Sequence, residues 1–166
     1  MALMRDTRGF TLIEMNLAVI IVGVMAAVLV SLYSVSSKAF VEIRVKNKAN
    51  SLAIAAMEDI KCRKWDETEP AGTKSAIGRD PGETAGDKTT FDDIDDFNGY
   101  SESPPRYQDG TPMPGLDGFS MTVDTVCYVD TALNFSATGT TLKEIVLTVK
   151  KGNVPKITLS TIVSQQ

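Results

Sequence analysis

From Met15 to Ser37 the chain runs for 23 residues without a charge, mostly valine, isoleucine, leucine, alanine and methionine. Wound as a helix at about 1.5 Å per residue, this run reaches roughly 35 Å, enough to cross a hydrocarbon layer of about 30 Å with some tilt. The chain has 166 residues, room for one domain plus a segment that need not belong to its core. The averages of 43% hydrophobic and 23% charged residues conceal this, because the apolar residues are concentrated at one end.

Three kinds of segment begin in this way. A secretory signal places a small-residue cleavage site after an apolar stretch of about 7–15 residues. Here the stretch is longer, and the small residue, Gly9, precedes it. A plain membrane anchor fits the length but gives no reason for a carboxylate, Glu14, at the head of the segment. An ionisable group inside a bilayer costs about 2.5–3.5 kcal/mol at the centre, less near the edge, and is a functional candidate by default.

The third kind accounts for both features. Arg8-Gly9-Phe10-Thr11-Leu12-Ile13-Glu14 resembles the cleavage and methylation motif of type IV prepilins and type II secretion pseudopilins. The resemblance implies a leader of residues 1–9, cut after Gly9 on the cytoplasmic side by prepilin peptidase, which then methylates Phe10. It also implies insertion in the bacterial inner membrane with a periplasmic C-terminal domain, then passage through an inner-membrane assembly platform into a pilus or pseudopilus. Other pilins or pseudopilins are the implied partners, through the N-terminal helix. Phe10 and Glu14 stand at i and i+4, one helical turn apart. Cleavage creates an ammonium at Phe10, and in a low-dielectric setting opposite charges attract far more strongly than in water. The Glu14 carboxylate of one subunit, neutralised by the Phe10 ammonium of its neighbour, would set the axial register of assembly.

Charge counting does not orient the segment, since Arg5 and Arg8 precede it while Lys38, Arg44, Lys46 and Lys48 follow. Asn16 stands where this class usually carries an aliphatic residue, and reads as an interfacial amide or an interhelical hydrogen-bonding group. At position 31, where major pilins commonly carry a helix-kinking proline, there is Ser31. Gly23 and Ala27 form a small-xxx-small pair that permits close helix approach.

Beyond residues 10–37 a helical rhythm continues over 38–65, predicting one helix from Phe10 to Trp65. Val45, Ala49, Leu52, Ala56, Met57 and Ile60 form an apolar stripe at spacings of mostly three and four. Over 66–118 composition shifts: six of the seven prolines and eight of the twelve glycines lie here, so loops dominate. Within them, Asp92, Asp93, Asp95 and Asp96 cluster as calcium ligands would, but the spacing departs from an EF-hand loop. The segment reads instead as a short helical turn pinned to the core by Phe91, Ile94 and Phe97.

The last third, 119–166, reads as a sheet. Phe119–Val129, Leu142–Lys150 and Lys156–Val163 alternate, with Lys151-Gly152-Asn153 as a hairpin turn. One long helix on three or four antiparallel strands gives an α+β, pilin-like fold of two layers. The order of helix end at Trp65-Asp66-Glu67, acidic Phe91–Tyr100 segment, strand opening at Gly118-Phe119 and final hairpin is similar to MshD-type minor pilins of the mannose-sensitive haemagglutinin pilus.

Cys62 and Cys127 are the only cysteines. An exported domain permits a disulfide between them, closing a loop of about 65 residues and adding roughly 4 kcal/mol; the alternative is two buried free thiols. Histidine is absent, which removes the commonest general base and metal ligand, and no catalytic constellation, metal site or cofactor motif stands out. The net charge is −4; residues 1–9 carry two arginines and one aspartate, so the chain from Phe10 stands at −5. That balance argues against nucleic acid as a partner. Two function classes remain: a structural subunit of a pilus or pseudopilus, and a singly anchored ligand-binding or sensor domain with the acidic loops as its site.

Overall fold

The computed structural model describes residues 9–65, 77–136, 140–152 and 157–165. Most of the leader, Asp66-Glu67, Asn153 of the expected turn and Lys156 at the head of the last expected strand lie outside them. One helix, α1 (Leu12–Lys61), precedes a four-stranded sheet of β1 (Ser101–Glu102), β2 (Phe119–Val129), β3 (Leu142–Lys151) and β4 (Ile157–Ser164). This is the α+β, pilin-like arrangement of one long helix and a small antiparallel sheet.

The helix is shorter than the Phe10–Trp65 span that periodicity predicts, and each end has a local cause. At the start, Thr11 and Glu14 form a capping box: the Glu14 N–H donates to Thr11 Oγ1 (3.3 Å), and the Thr11 N–H donates to Glu14 Oε2 (3.5 Å). This partners backbone donors that the first turn leaves open, so Thr11 caps and Leu12 begins the helix. At the other end Lys64 leaves the helical path to bridge Asp93, its N–H donating to the Asp92 carbonyl and its own carbonyl accepting from Ile94 N–H. The chain divides into two compact units within the helix, 1–43 and 44–166.

In the first unit the helix is uncovered. None of its most apolar stretch, which is long and apolar enough to cross a membrane, is buried. In the second unit Ala49, Leu52, Ala53, Met57 and Ile60 are buried and share one core with the sheet. The expected stripe is therefore the core face, with Val45 and Ala56 half-buried at its margin and Ala53 added to it.

The strands run in the order β1-β2-β3-β4, all antiparallel. A bulge between Val123 and Thr125 resets the alternation of β2. Phe119, Met121 and Val123 face the core before it and Val126 after it, while Asp124 is left exposed to accept a hydrogen bond from Thr148 Oγ1 (2.5 Å). On β3, Ile145, Leu147 and Val149 are fully buried. Gly152, at φ 51°, follows β3 in the left-handed region that suits a hairpin turn. β1 escaped the sequence reading because two residues carry no periodicity.

The acidic segment folds as the aromatic spacing predicts. Asp95–Phe97 is one 3-10 turn, with Phe91, Ile94 and Phe97 buried beneath it. Phe91, Phe97 and Tyr100 meet edge to face, with centroids 5.1–6.0 Å apart.

Candidate processing and assembly site

The N-terminal motif is fully solvent-facing. Gly9 and Phe10 precede the helix outside regular secondary structure, and Phe10 is 78% exposed. Nothing lies within 4 Å of where a Gly9 Cβ would stand, so the fold itself does not demand glycine there. The constraint must come from whatever binds the segment. Because the helix begins at Leu12, Phe10 and Glu14 are not stacked on one helical face as their spacing suggests; the capping box holds Glu14 back toward Thr11 instead. A carboxylate in the first turn is favoured by the positive end of the helix dipole. Cutting after Gly9 would place the Phe10 amine next to the cap, beside this carboxylate. The Thr11-x-x-Glu14 pattern is a visible capping signature that the reading of the motif overlooked.

The four aspartates of the acidic segment do not converge as one ligand set. Asp93 Oδ1 accepts the N–H groups of Asp95 (2.9 Å) and Asp96 (3.3 Å), and Asp96 Oδ2 accepts those of Asp92 and Asp93 (3.0 Å each). Asp95 turns into the core and meets Lys143 at 2.8 Å. The carboxylate oxygens that do gather, within 4.8 Å of one another, belong to Asp92, Asp96 and Glu83, a residue the sequence reading left out. Burial, followed by the hydrogen bond with Asp95, pushes the Asp93 carboxyl up to about 8. Burial, followed by the hydrogen bond with Glu83, pushes Asp96 up to about 7.

Two buried lysines organise this domain. Lys143 occupies a core-facing position of β3, fully buried, with Asp95 at 1% exposure. Its ammonium also donates to the Trp65 carbonyl (2.5 Å) and lies 4.9 and 5.3 Å from the ring centroids of Trp65 and Tyr128. It thereby ties the helix exit, the acidic turn and the sheet together. Lys88 pairs with Glu102 at 3.3 Å and donates to the Arg106 carbonyl (2.6 Å), while Tyr100 Oη donates to Glu102 (2.7 Å). A cleft of about 420 Å³ opens beside that pair, with Asp87, Ser101, Ser103 and Arg106 in its wall. Lys88 and Glu102 are committed to each other, and the cleft beside them presents a mainly polar surface.

Cys62 and Cys127 are both free thiols, the first exposed and the second half-buried. They are neither bridged nor both buried, which departs from each alternative the sequence left open. The reason is geometric. Cys127 pairs with Glu144, on the face opposite the core-facing Val126–Ile145 pair, whereas Cys62 follows the helix turn whose Ile60 enters that core.

Residues 4–30 match the prokaryotic N-terminal methylation motif, the signal of the type IV pilin class. The match spans Gly9, Phe10, the capping box and much of the apolar helix. It implies processing by prepilin peptidase and assembly with other pilins, and its apolar helix is consistent with single-pass anchoring in the inner membrane. No curated protein and no solved structure matches the chain.

Proposed function

We propose that the chain is a structural minor pilin, made as a precursor, cut after Gly9, methylated on Phe10 and assembled into a type IV pilus through α1. The observation that carries this reading is the capped, exposed Gly9–Glu14 motif at the head of an apolar helix whose most apolar stretch has no buried residue. Such a helix needs a bilayer before assembly and neighbouring helices after it. Residues 10–37 are then the part exchanged between lipid and fibre, and 66–166 the domain displayed. Glu14 acts as the register group, neutralised by a neighbour's Phe10 ammonium.

Two features favour a minor over a major subunit. The helix continues unbroken through Ser31, where major pilins commonly kink at proline. The acidic Phe91–Tyr100 segment supports the finer assignment, to MshD-type minor pilins of a mannose-sensitive haemagglutinin pilus. A non-enzymatic role is consistent with the motif and the fold.

Type II secretion pseudopilins share the motif, so the discriminating experiment is a deletion strain. Loss or shortening of surface fibres with normal protein secretion is the expected result. Accumulation of secreted enzymes in the periplasm with normal fibres would assign the chain to a pseudopilus instead.

A further inference from the structure

β4 is the long open edge of the sheet. Among the described residues no strand pairs with its outer side, whereas the opposite edge, β1, is only two residues long. Proteins protect edges with charged residues, prolines, bulges or short strands. Ile157–Ser164 has none of these: it carries no charge, proline or glycine, and pairs with β3 through eight residues without a register shift. Its core-facing residues are also incompletely covered. Ile157, Leu159, Thr161 and Val163 remain half-buried, although their partners Val149, Leu147, Ile145 and Lys143 on β3 are fully buried. On the other face Ile162 is 40% exposed.

We propose that β4 pairs with β4 of a second copy of this chain, antiparallel across a two-fold axis, joining two four-stranded sheets into one of eight strands. The occupant follows from the strand's own pattern. A two-fold pairing sets each residue against a residue of the same strand, so a charged strand would bring like charges together. This strand brings none. Opposed residues must also share a face and present their outward N–H and C=O groups together, which restricts the register to pairs of the same parity. Centred on Ser160, the pairing sets Ile157 against Val163 and Leu159 against Thr161 on the core face, and Thr158 against Ile162 on the other. The residues left half-covered at the edge of one sheet then cover their counterparts in the next. The neighbouring same-face register, centred on Thr161, sets Leu159 against Val163. The contact lies outside the N-terminal helix and goes beyond its role in assembly.

The test uses the full-length chain in detergent, with Cys62→Ser and Cys127→Ser as background. Directly opposed residues of an antiparallel pair bring their Cβ atoms to about 4.5–5.5 Å, so Ser160→Cys or Thr161→Cys should form a disulfide-linked dimer under mild oxidation. Asp117→Cys, exposed on a loop remote in sequence from β4, should not. Where Ser160→Cys gives the stronger cross-link, adding Thr158→Lys and Ile162→Lys sets like charges opposite each other; where Thr161→Cys does, Thr158→Lys and Ser164→Lys do so. Either pair should reduce the dimer at least tenfold while the thermal unfolding midpoint stays within a few degrees. The proposal is overturned by a monomer at both cysteine positions, by equal dimer from Asp117→Cys, or by a dimer yield the lysines leave unchanged. A cross-link in cells whose mass is not twice that of the chain also overturns it, in favour of a different partner strand. N-terminal processing is read separately in the same mass spectra, so failure here leaves the assembly reading standing.

Discussion

The two halves of α1 are one continuous helix built for different surroundings. Before residue 44 its described apolar residues are exposed on every side of the helix; after it, five buried residues form a single stripe. A helix that is hydrophobic all round is made to be surrounded, and one with a stripe is made to be covered on one side. On the proposed function, the first half would draw its stability from lipid or neighbouring subunits; the second draws it from the sheet. Changes in one half should leave the other's properties intact.

The largest effect expected is at Gly9. Its Cβ position is empty, so Gly9→Leu should leave folding untouched while blocking cleavage almost completely, seen as precursor retained in membranes by immunoblot. A mature product at normal yield would break the division between the halves. Next comes Lys143→Met, which leaves Asp95 buried without its ammonium partner and should destabilise the domain by about 3–5 kcal/mol in denaturant titrations. Adding Asp95→Leu should recover most of that loss, because replacing both members of a buried pair is far milder than removing one. Cleavage should be normal in both variants. Glu14→Ala should do the reverse, leaving domain unfolding unchanged while lowering incorporation into fibres about tenfold, the equivalent of ~1.4 kcal/mol.

A smaller effect concerns pH. Burial pushes the Asp93 carboxyl up to about 8 and that of Asp96 up to about 7 in the folded domain, against 3.8 for an unperturbed carboxyl. The folded state thus holds more protons than the unfolded state between those values, so stability falls as pH rises from about 4 to about 8. Asp93→Asn keeps the acceptor for Asp95 and Asp96 N–H groups and should flatten that slope. An unfolding midpoint that rises over the same range would contradict the assignment. Smallest of all is the response to reductant. With both thiols free, dithiothreitol should leave the unfolding midpoint unchanged.

The sequence shows the regular parts of the fold because they repeat. The charge-free run is legible from its length, the stripe from Val45 to Ile60 and the alternation of β3 and β4 carry a period that the structure keeps, and β2 keeps its alternation up to the bulge after Val123. The helix ends were misjudged where side chains overrule periodicity, at the Thr11–Glu14 box and at Lys64, which pairs with the acidic segment. Lys143 was legible in principle, since it shares its face with Ile145, Leu147 and Val149, but a lysine there reads as a strand end until Asp95 is seen beneath it. The Lys88–Glu102 pair and the Glu83–Asp92–Asp96 group join residues of loops, the 3-10 turn and the two-residue β1 up to 14 positions apart, with no period to announce them. In the acidic segment the aromatic spacing was the reliable signal; the aspartates went to backbone N–H groups of the segment, to Lys64 and to Lys143.

The central claim is that the head of α1 is made to be cut and to assemble, and the intact mass of the protein purified from its native membrane tests it most directly. The account predicts a chain that begins at Phe10 and is about 14 Da heavier than its sequence, the mass of one added methyl group. A chain that still begins at Met1 or Ala2 would contradict it.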